Sequence, residues 1–147
     1  DIWYRVALLL ERHLLMGVPL QGADLDYIKC FDRSARDLAD ALLRHWGADA
    51  RVMAALEGFY KRALRSFLLG GALGRASFSS NGFFQGDALS MMRLNALMTV
   101  WGAVMEEEAG VEPHGYADDG GFTKAGPAAT ASIEKASTLS LECGELT

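Results

Sequence analysis

The chain has 147 residues, of which 50% are hydrophobic and 22% charged, and its formal net charge is −5. Such a composition is typical of one ordered globular domain with a substantial core, and it argues against a disordered chain. The two cysteines, Cys30 and Cys143, lie far apart without CxxC spacing, which argues against a disulfide framework and against a zinc site. We therefore expect a reducing intracellular compartment, either the cytoplasm or the nucleus.

Charge is unevenly distributed along the chain. Residues 1–75 contain 11 Lys or Arg and 9 Asp or Glu, whereas residues 76–147 contain 3 and 10. A protein that grips a nucleic-acid backbone unaided usually carries a basic stripe. If this chain handles nucleic acid, we expect the grip to come from segments outside it.

The chain is predicted to begin with a helix and a strand. Apolar residues at helical spacing predict an amphipathic helix over residues 3–16, which Gly17 and Pro19 end. This segment has neither a basic lead nor a small-residue cleavage site, so we predict no targeting signal. A short strand is expected over residues 22–28.

Two helices and a hairpin are predicted next. The first helix begins near Ser34, in a pattern that resembles a capping box, and continues to Gly47. The second is predicted over residues 49–65. Residues 66–79 contain a Gly-Gly pair and predict two short strands joined by a tight turn.

The second half contains one strongly apolar segment, residues 88–105. Arg93 in its middle would be penalised in lipid, so a helix buried in a protein core is favoured over a membrane span. A strand over residues 111–116, a return strand over 120–124 and a last helix beginning at Gly126 are then predicted. This order predicts an α+β fold with helices covering one face of a mostly antiparallel sheet.

Two acidic clusters carry the chemistry. In the first, residues 26–32 (DYIKCFD), the carboxylate of Asp26 at the end of a strand can hold a hard divalent cation. In the second, residues 116–119 (YADD), two adjacent carboxylates lie at the tip of a hairpin, where a cation would offset their repulsion. Acids near strand ends are common, and a solvated Asp-Asp turn is the alternative for the second cluster.

Together the clusters resemble motifs of reverse transcriptases, most closely those of the non-LTR retrotransposon and group II intron type. The first matches the family's Asp followed by Lys, Phe and Asp at offsets of three, five and six, and the second matches its Tyr-x-Asp-Asp hairpin. Between them, residues 81–90 (NGFFQGDALS) are similar to the family's third motif. The three motifs occur in the family's order over residues 22–122.

The resemblance implies a polymerase palm, with a ferredoxin-like or RRM-like antiparallel sheet and helices packed on one face. It implies catalytic and metal-binding roles for Asp26 and Asp118, which would hold two Mg²⁺ ions, and a supporting one for Asp119; Mn²⁺ is the alternative ion. One ion would lower the pKa of the primer 3′-hydroxyl and the other would neutralise charge on the triphosphate. The implied partners are an RNA template, a DNA primer and dNTPs, and no membrane.

Asp24 competes with Asp26 as the metal ligand, because both face the same side of a strand with period two. The family places an aromatic side chain five positions after the ligand, where it blocks the ribose 2′-hydroxyl. Phe31 stands five positions after Asp26, whereas Lys29 stands five after Asp24. Asp26 is therefore preferred, and Phe31 is the expected sugar gate, which favours deoxynucleotides. An ordinary core aromatic is the alternative for Phe31.

The resemblance also implies substrate contacts at Tyr27, Phe31, Gln85, Gly86 and Tyr116. A glycine lets a loop backbone approach the nucleotide and template, and an amide both donates and accepts hydrogen bonds. A plain polar loop is the alternative for the glutamine and its glycine. The chain departs from the family at Met91, where proline is common, and this departure concerns loop geometry rather than the acids.

We expect residues 1–147 to form a single partial reverse transcriptase domain of a retrotransposon-like element, the palm with part of the fingers. The remaining finger strands and the thumb would lie outside this chain, so the isolated chain should polymerise poorly or not at all. One rival is an RNA-dependent RNA polymerase palm, which Phe31 and the Tyr116-Ala117 pair disfavour. The other is a degenerate retroelement relic or a non-catalytic nucleic-acid-binding module, which the intact acids disfavour.

Overall fold

The computed structural model describes residues 2–145, which combine helices with antiparallel strands. The α-helices are α1 (Ile2–Met16), α2 (Cys30–Arg33), α3 (Arg36–His45), α4 (Ala50–Arg62), α5 (Ser90–Val104) and α6 (Ala129–Glu145). The strands are β1 (Leu20–Asp26), β2 (Leu68–Leu69), β3 (Ala72–Leu73), β4 (Glu112–Tyr116) and β5 (Asp119–Ala125). A π-helical turn, Met105–Ala109, extends α5. The predicted α+β composition is confirmed.

Three strands form one antiparallel sheet in the order β1-β5-β4, and β2 and β3 form a separate hairpin. The register pairs Leu20 with Ala125 at one end of β1 and Asp26 with Asp119 at the other. Tyr116 of β4 pairs with the same Asp119 from the opposite side. The end of β1 therefore lies beside the tip of the β4–β5 hairpin.

Helices cover one face of this sheet. Phe122 of β5 is fully buried in a cluster with Trp101, Met105 and Ala136, which come from α5, its π-helical extension and α6. Removing such side chains from water is the main favourable contribution to folding. The cluster therefore fixes the sheet against α5 and α6.

The other face of the sheet carries the acids. Successive side chains of a strand point to opposite faces, and Ala23 and Leu25 pack against the helix-covered core. Asp24 and Asp26, which alternate with them, are exposed, as is Asp119, the pairing partner of Asp26. One strand thus contributes both to the core and to an exposed acidic surface.

A second packed region joins α3, α4 and α5. Ala39 and Leu43 of α3, Met53 of α4, and Leu94 and Ala96 of α5 are all buried there. The apolar segment predicted as a core helix is therefore packed inside the protein. Among residues 2–145, no helix is both long and apolar enough to cross a membrane.

Arg93 of α5 is completely buried and forms a bidentate pair with Asp40 of α3. Its Nε donates to Oδ1 at 2.7 Å and its Nη2 donates to Oδ2 at 2.8 Å. The guanidinium also lies over the rings of Tyr60 and Phe83, 4.5 and 5.5 Å from their centroids. A buried arginine needs such a partner, because an unpaired charge inside a protein is strongly destabilising.

The first strand and the helix after it differ in detail from their predicted forms. β1 ends at Asp26 rather than at residue 28, because the chain turns at Lys29, whose φ of 55° is left-handed, and begins α2. The predicted capping role of Ser34 is wrong: its Oγ donates to the carbonyl of Cys30, and Ala35 precedes the first turn of α3. The serine therefore closes α2 instead of opening α3.

Candidate active site

The tip of the β4–β5 hairpin consists of Ala117 and Asp118, which are flanked by the paired residues Tyr116 and Asp119. Two-residue hairpin turns need a left-handed residue, and here that residue is Ala117, with φ of 57°. A side chain in this conformation costs about 1 kcal/mol or more, and residues held this way are concentrated at functional sites. The turn keeps Asp118 half-buried and Tyr116 exposed.

Asp26 lies at the same edge of the sheet as this turn. Its Cα pairs with that of Asp119, and residues directly opposite each other in antiparallel strands have Cβ atoms about 5 Å apart. Asp118 lies close enough to the turn after β1 for its charge to act on Cys30. Burial raises the pKa of the Cys30 thiol, and the negative charge of Asp118 raises this pKa further. Residues far apart in sequence thus bring three carboxylates to one edge.

Asp24 also lies on the exposed face, but it has a different neighbour. Its Oδ1 is 3.5 Å from Nε2 of His114 on β4. Gly121 of β5 lies between these two strands, and a Cβ there would come 2.5 Å from the His114 Nε2 and 2.7 Å from the Asp24 Oδ1. The glycine leaves the space in which the two side chains meet. Within residues 2–145, no ion pair engages Asp26.

The acids at this edge offer the oxygen ligands that Mg²⁺ prefers. In the part of the chain that the structure describes, no group of three or more His, Cys, Asp or Glu side chains could hold an ion. Mg²⁺ at sites of phosphoryl transfer is usually held by one or two carboxylates together with substrate phosphates and waters. A site of that kind needs few ligands from the protein, and Asp26 and Asp118 are the candidates for them at this edge.

The predicted third motif forms a loop before α5, which we call the glutamine loop (residues 82–88). Gln85 and Gly86 are both exposed at its tip. Gly86 has a φ of 86°, and nothing lies within 4 Å of the place where its Cβ would be. The glycine is therefore needed for its backbone conformation and not to relieve crowding.

The glutamine loop is bonded to the segment that follows Asp26. The backbone N–H of Phe83 donates to the carbonyl of Phe31 at 2.5 Å, and that of Gly82 donates to the carbonyl of Ser34 at 2.9 Å. Arg36 donates to the three carbonyls of Ser79, Asn81 and Gly82. These bonds join the first and third motifs into one unit beside the hairpin.

Gly82 is the residue of the glutamine loop that comes closest to the backbone of the first motif. We expect its replacement by alanine to lower the free energy of unfolding by at least about 2 kcal/mol. Its φ is +79°, and an added Cβ would lie 2.3 Å from the carbonyl oxygen of Asp32, which is backbone and cannot move aside. Urea denaturation would measure the loss.

Gly86→Ala is the matched control for that variant, because its φ is equally left-handed but its Cβ would enter open space. It should lose only the conformational contribution, about 1 kcal/mol. Equal losses in the two variants would contradict the close contact at Gly82.

Two of the predicted substrate contacts lie on the core side. Phe31 is half-buried and packs against the cluster that contains Phe83. The ring of Tyr27 meets Trp101 edge-on, with centroids 6.4 Å apart, and burial raises the pKa of Tyr27 to about 12. Tyr116, by contrast, is 68% exposed. The sugar gate at Phe31 and the substrate contact at Tyr27 stay predictions.

Arg36 and Tyr60 hold the glutamine loop in place, and neither was predicted from the sequence. Tyr60 of α4 is 3% exposed, and its ring lies under the guanidinium of Arg36 at 4.4 Å. Burial and the nearby charge of Arg93 lower the pKa of Arg36, which nevertheless stays charged at neutral pH because an arginine titrates far above it. The only signal in the sequence was an aromatic residue at a core position of a helix.

No family model and no curated protein sequence is significantly similar to this chain.

Proposed function

We propose that this chain is the palm of an RNA-directed DNA polymerase, which adds deoxynucleotides to a primer 3′-hydroxyl by metal-dependent phosphoryl transfer. The observation that carries the proposal is the pairing of Asp26 with Asp119. It sets the end of β1 beside the turn that contains Asp118, as the resemblance of the two acidic motifs to reverse transcriptases requires. An antiparallel sheet with helices on one face and exposed acids on the other also supports the assignment of this chain to a palm.

In this proposal the carboxylates of Asp26 and Asp118 bind the cations, and Asp119 adds negative charge beside them. Bound Mg²⁺, or Mn²⁺ in its place, supplies Lewis-acid activation of the 3′-hydroxyl and neutralises the triphosphate. Paired backbone on both sides sets the positions of these residues, so the ligands need little backbone reorganisation when the nucleotide arrives. Protein general-base catalysis is then unnecessary.

The remaining predicted residues select and orient the nucleotide. Gln85, exposed at the tip of the glutamine loop, is free to hydrogen-bond to the nucleotide or template, and the open space at Gly86 allows close approach of the backbone. Phe31 directly precedes Asp32, whose backbone Gly82 approaches closely, and its half-buried ring is restrained by packing. A restrained ring is suited to exclude a 2′-hydroxyl.

The test is primer extension by the longer protein to which we propose this palm belongs, called the parent protein below. The reaction contains an RNA template, a DNA primer, Mg²⁺ and either dNTPs or rNTPs, with Asp118→Ala as the inactive control. Extension with dNTPs that disappears in the variant supports the proposal. Extension with rNTPs instead would favour an RNA-dependent RNA polymerase palm, and no extension by the intact parent would favour a relic or a nucleic-acid-binding module.

A further inference from the structure

A single buried hydroxyl group contacts both ends of the exposed tip of the glutamine loop. The hydroxyl of Tyr60 accepts the backbone N–H of Phe84 at 3.0 Å, and it donates to Oδ2 of Asp87 at 3.0 Å. Phe84 and Asp87 directly flank the tip residues Gln85 and Gly86. The one side chain therefore bridges the loop just before and just after the residues expected to contact substrate.

The neighbours of Tyr60 determine the direction of these hydrogen bonds. Ser90 donates its hydroxyl proton to the carbonyl of Phe84 at 2.7 Å. The carboxylate of Asp87 is acceptor-only when ionised, and its Oδ1 accepts the backbone N–H of Leu89 at 3.2 Å. Tyr60 must therefore donate to Asp87 and accept from the Phe84 N–H, so both polar groups of the Phe84 backbone are held.

Contacts on the ring of Tyr60 fix the position of its hydroxyl. It is stacked on Phe84, with centroids 4.9 Å apart and planes 20° apart, and two guanidinium groups lie over it, those of Arg36 and Arg93 at 4.4 and 4.5 Å. Arg93 is itself fixed by its buried pair with Asp40. The hydroxyl is thus a fixed point against which the loop is set.

We propose that Tyr60 is a positioning residue for nucleotide binding, whose hydroxyl fixes the conformation of the loop that presents Gln85 and Gly86. This inference rests on the proposed polymerase function. An exposed tip that contains a glycine would otherwise sample many conformations, and the substrate would have to order it on binding. Fixing the loop in advance lowers that cost, so the effect falls on nucleotide affinity more than on the chemical step.

The test is Tyr60→Phe in the parent protein, because phenylalanine keeps the ring stacking and the two cation–π contacts and removes only the hydroxyl. We expect KM for dNTPs to rise about tenfold, while kcat changes by less than about twofold and the melting temperature changes little. Hydrogen exchange of the backbone amides of residues 84–88 should become faster. Tyr4→Phe, which removes a hydroxyl from a 65% exposed tyrosine of α1, is the matched control and should change none of these.

The two readouts separate this inference from the function on which it rests. If the wild-type parent extends primers and Tyr60→Phe leaves KM unchanged, the positioning role is overturned and the polymerase proposal stands. If the wild-type parent extends no primer, the polymerase proposal fails, and the nucleotide role of Tyr60 fails with it whatever the amides show. Unchanged exchange of the 84–88 amides overturns the inference in either case.

Asp87→Asn, which keeps an oxygen acceptor for Tyr60, should raise KM less than Tyr60→Phe does.

Discussion

Primer extension by the parent protein is expected to fall by about a thousandfold when Asp26 is replaced by asparagine, since losing a cation ligand removes several kcal/mol of transition-state stabilisation. Asparagine has nearly the same shape as aspartate but no negative charge, so β1 and its pairing with β5 should be unaffected. Initial rates with dNTPs and Mg²⁺ would measure the loss, and circular dichroism would show that the fold is retained.

Asp24→Asn is the matched control, because Asp24 lies on the same exposed face of the same strand. Its carboxylate faces His114 at 3.5 Å rather than the hairpin tip, so we expect a rate within about fivefold of the wild type. A loss at Asp24 that equals the loss at Asp26 would show that the choice between the two acids is wrong. It would also remove the argument that makes Phe31 the sugar gate.

The second large effect is expected at the buried pair of Arg93 and Asp40. Asp40→Ala leaves the guanidinium of Arg93 without a counter-charge in a site from which water is excluded, and breaking such a pair costs about 3–5 kcal/mol. Urea denaturation monitored by circular dichroism should show a much lower midpoint for this variant.

Two further variants identify the cause of that loss. The double variant Arg93→Met and Asp40→Ala removes both charges, so it should lose less than the sum of the two single variants. Glu57→Ala breaks the partly exposed pair that Glu57 forms with Arg44 on the neighbouring helices, and it should move the midpoint far less because water screens that pair. Additive losses in the double variant would contradict the account of Arg93 as a paired buried charge.

Elements set by local patterns were well predicted. The apolar spacing of α1 predicted residues 3–16, and the structure has Ile2–Met16. The β4–β5 hairpin followed from the polar turn between two short segments, residues 111–116 and 120–124, and the structure has Glu112–Tyr116 and Asp119–Ala125. Arg93 indicated that α5 belongs in a protein core. In each case neighbouring residues contain the signal, because helix faces and hairpin turns depend on short-range spacing.

Features that depend on distant contacts were not predicted. Ser34 is in the right sequence pattern for a cap, but its hydroxyl bonds to the turn before it. No local pattern indicates that Arg36 binds the carbonyls of residues 79–82 or that Tyr60 holds the glutamine loop. At the site, the proximity of Asp26 to the hairpin was expected only from the family resemblance, because strand order cannot be read from periodicity.

The pairing of β1 with β5 also determines when the acidic edge can exist during folding. These strands come from opposite ends of the chain, and such long-range contacts are the slowest to form. Asp26 and Asp119 carry like charges and become direct neighbours only when these strands pair, which opposes the pairing slightly. If the proposed cation binds at this edge, it favours the closed sheet by mass action, and the yield of folded chain should then rise with the concentration of divalent ions.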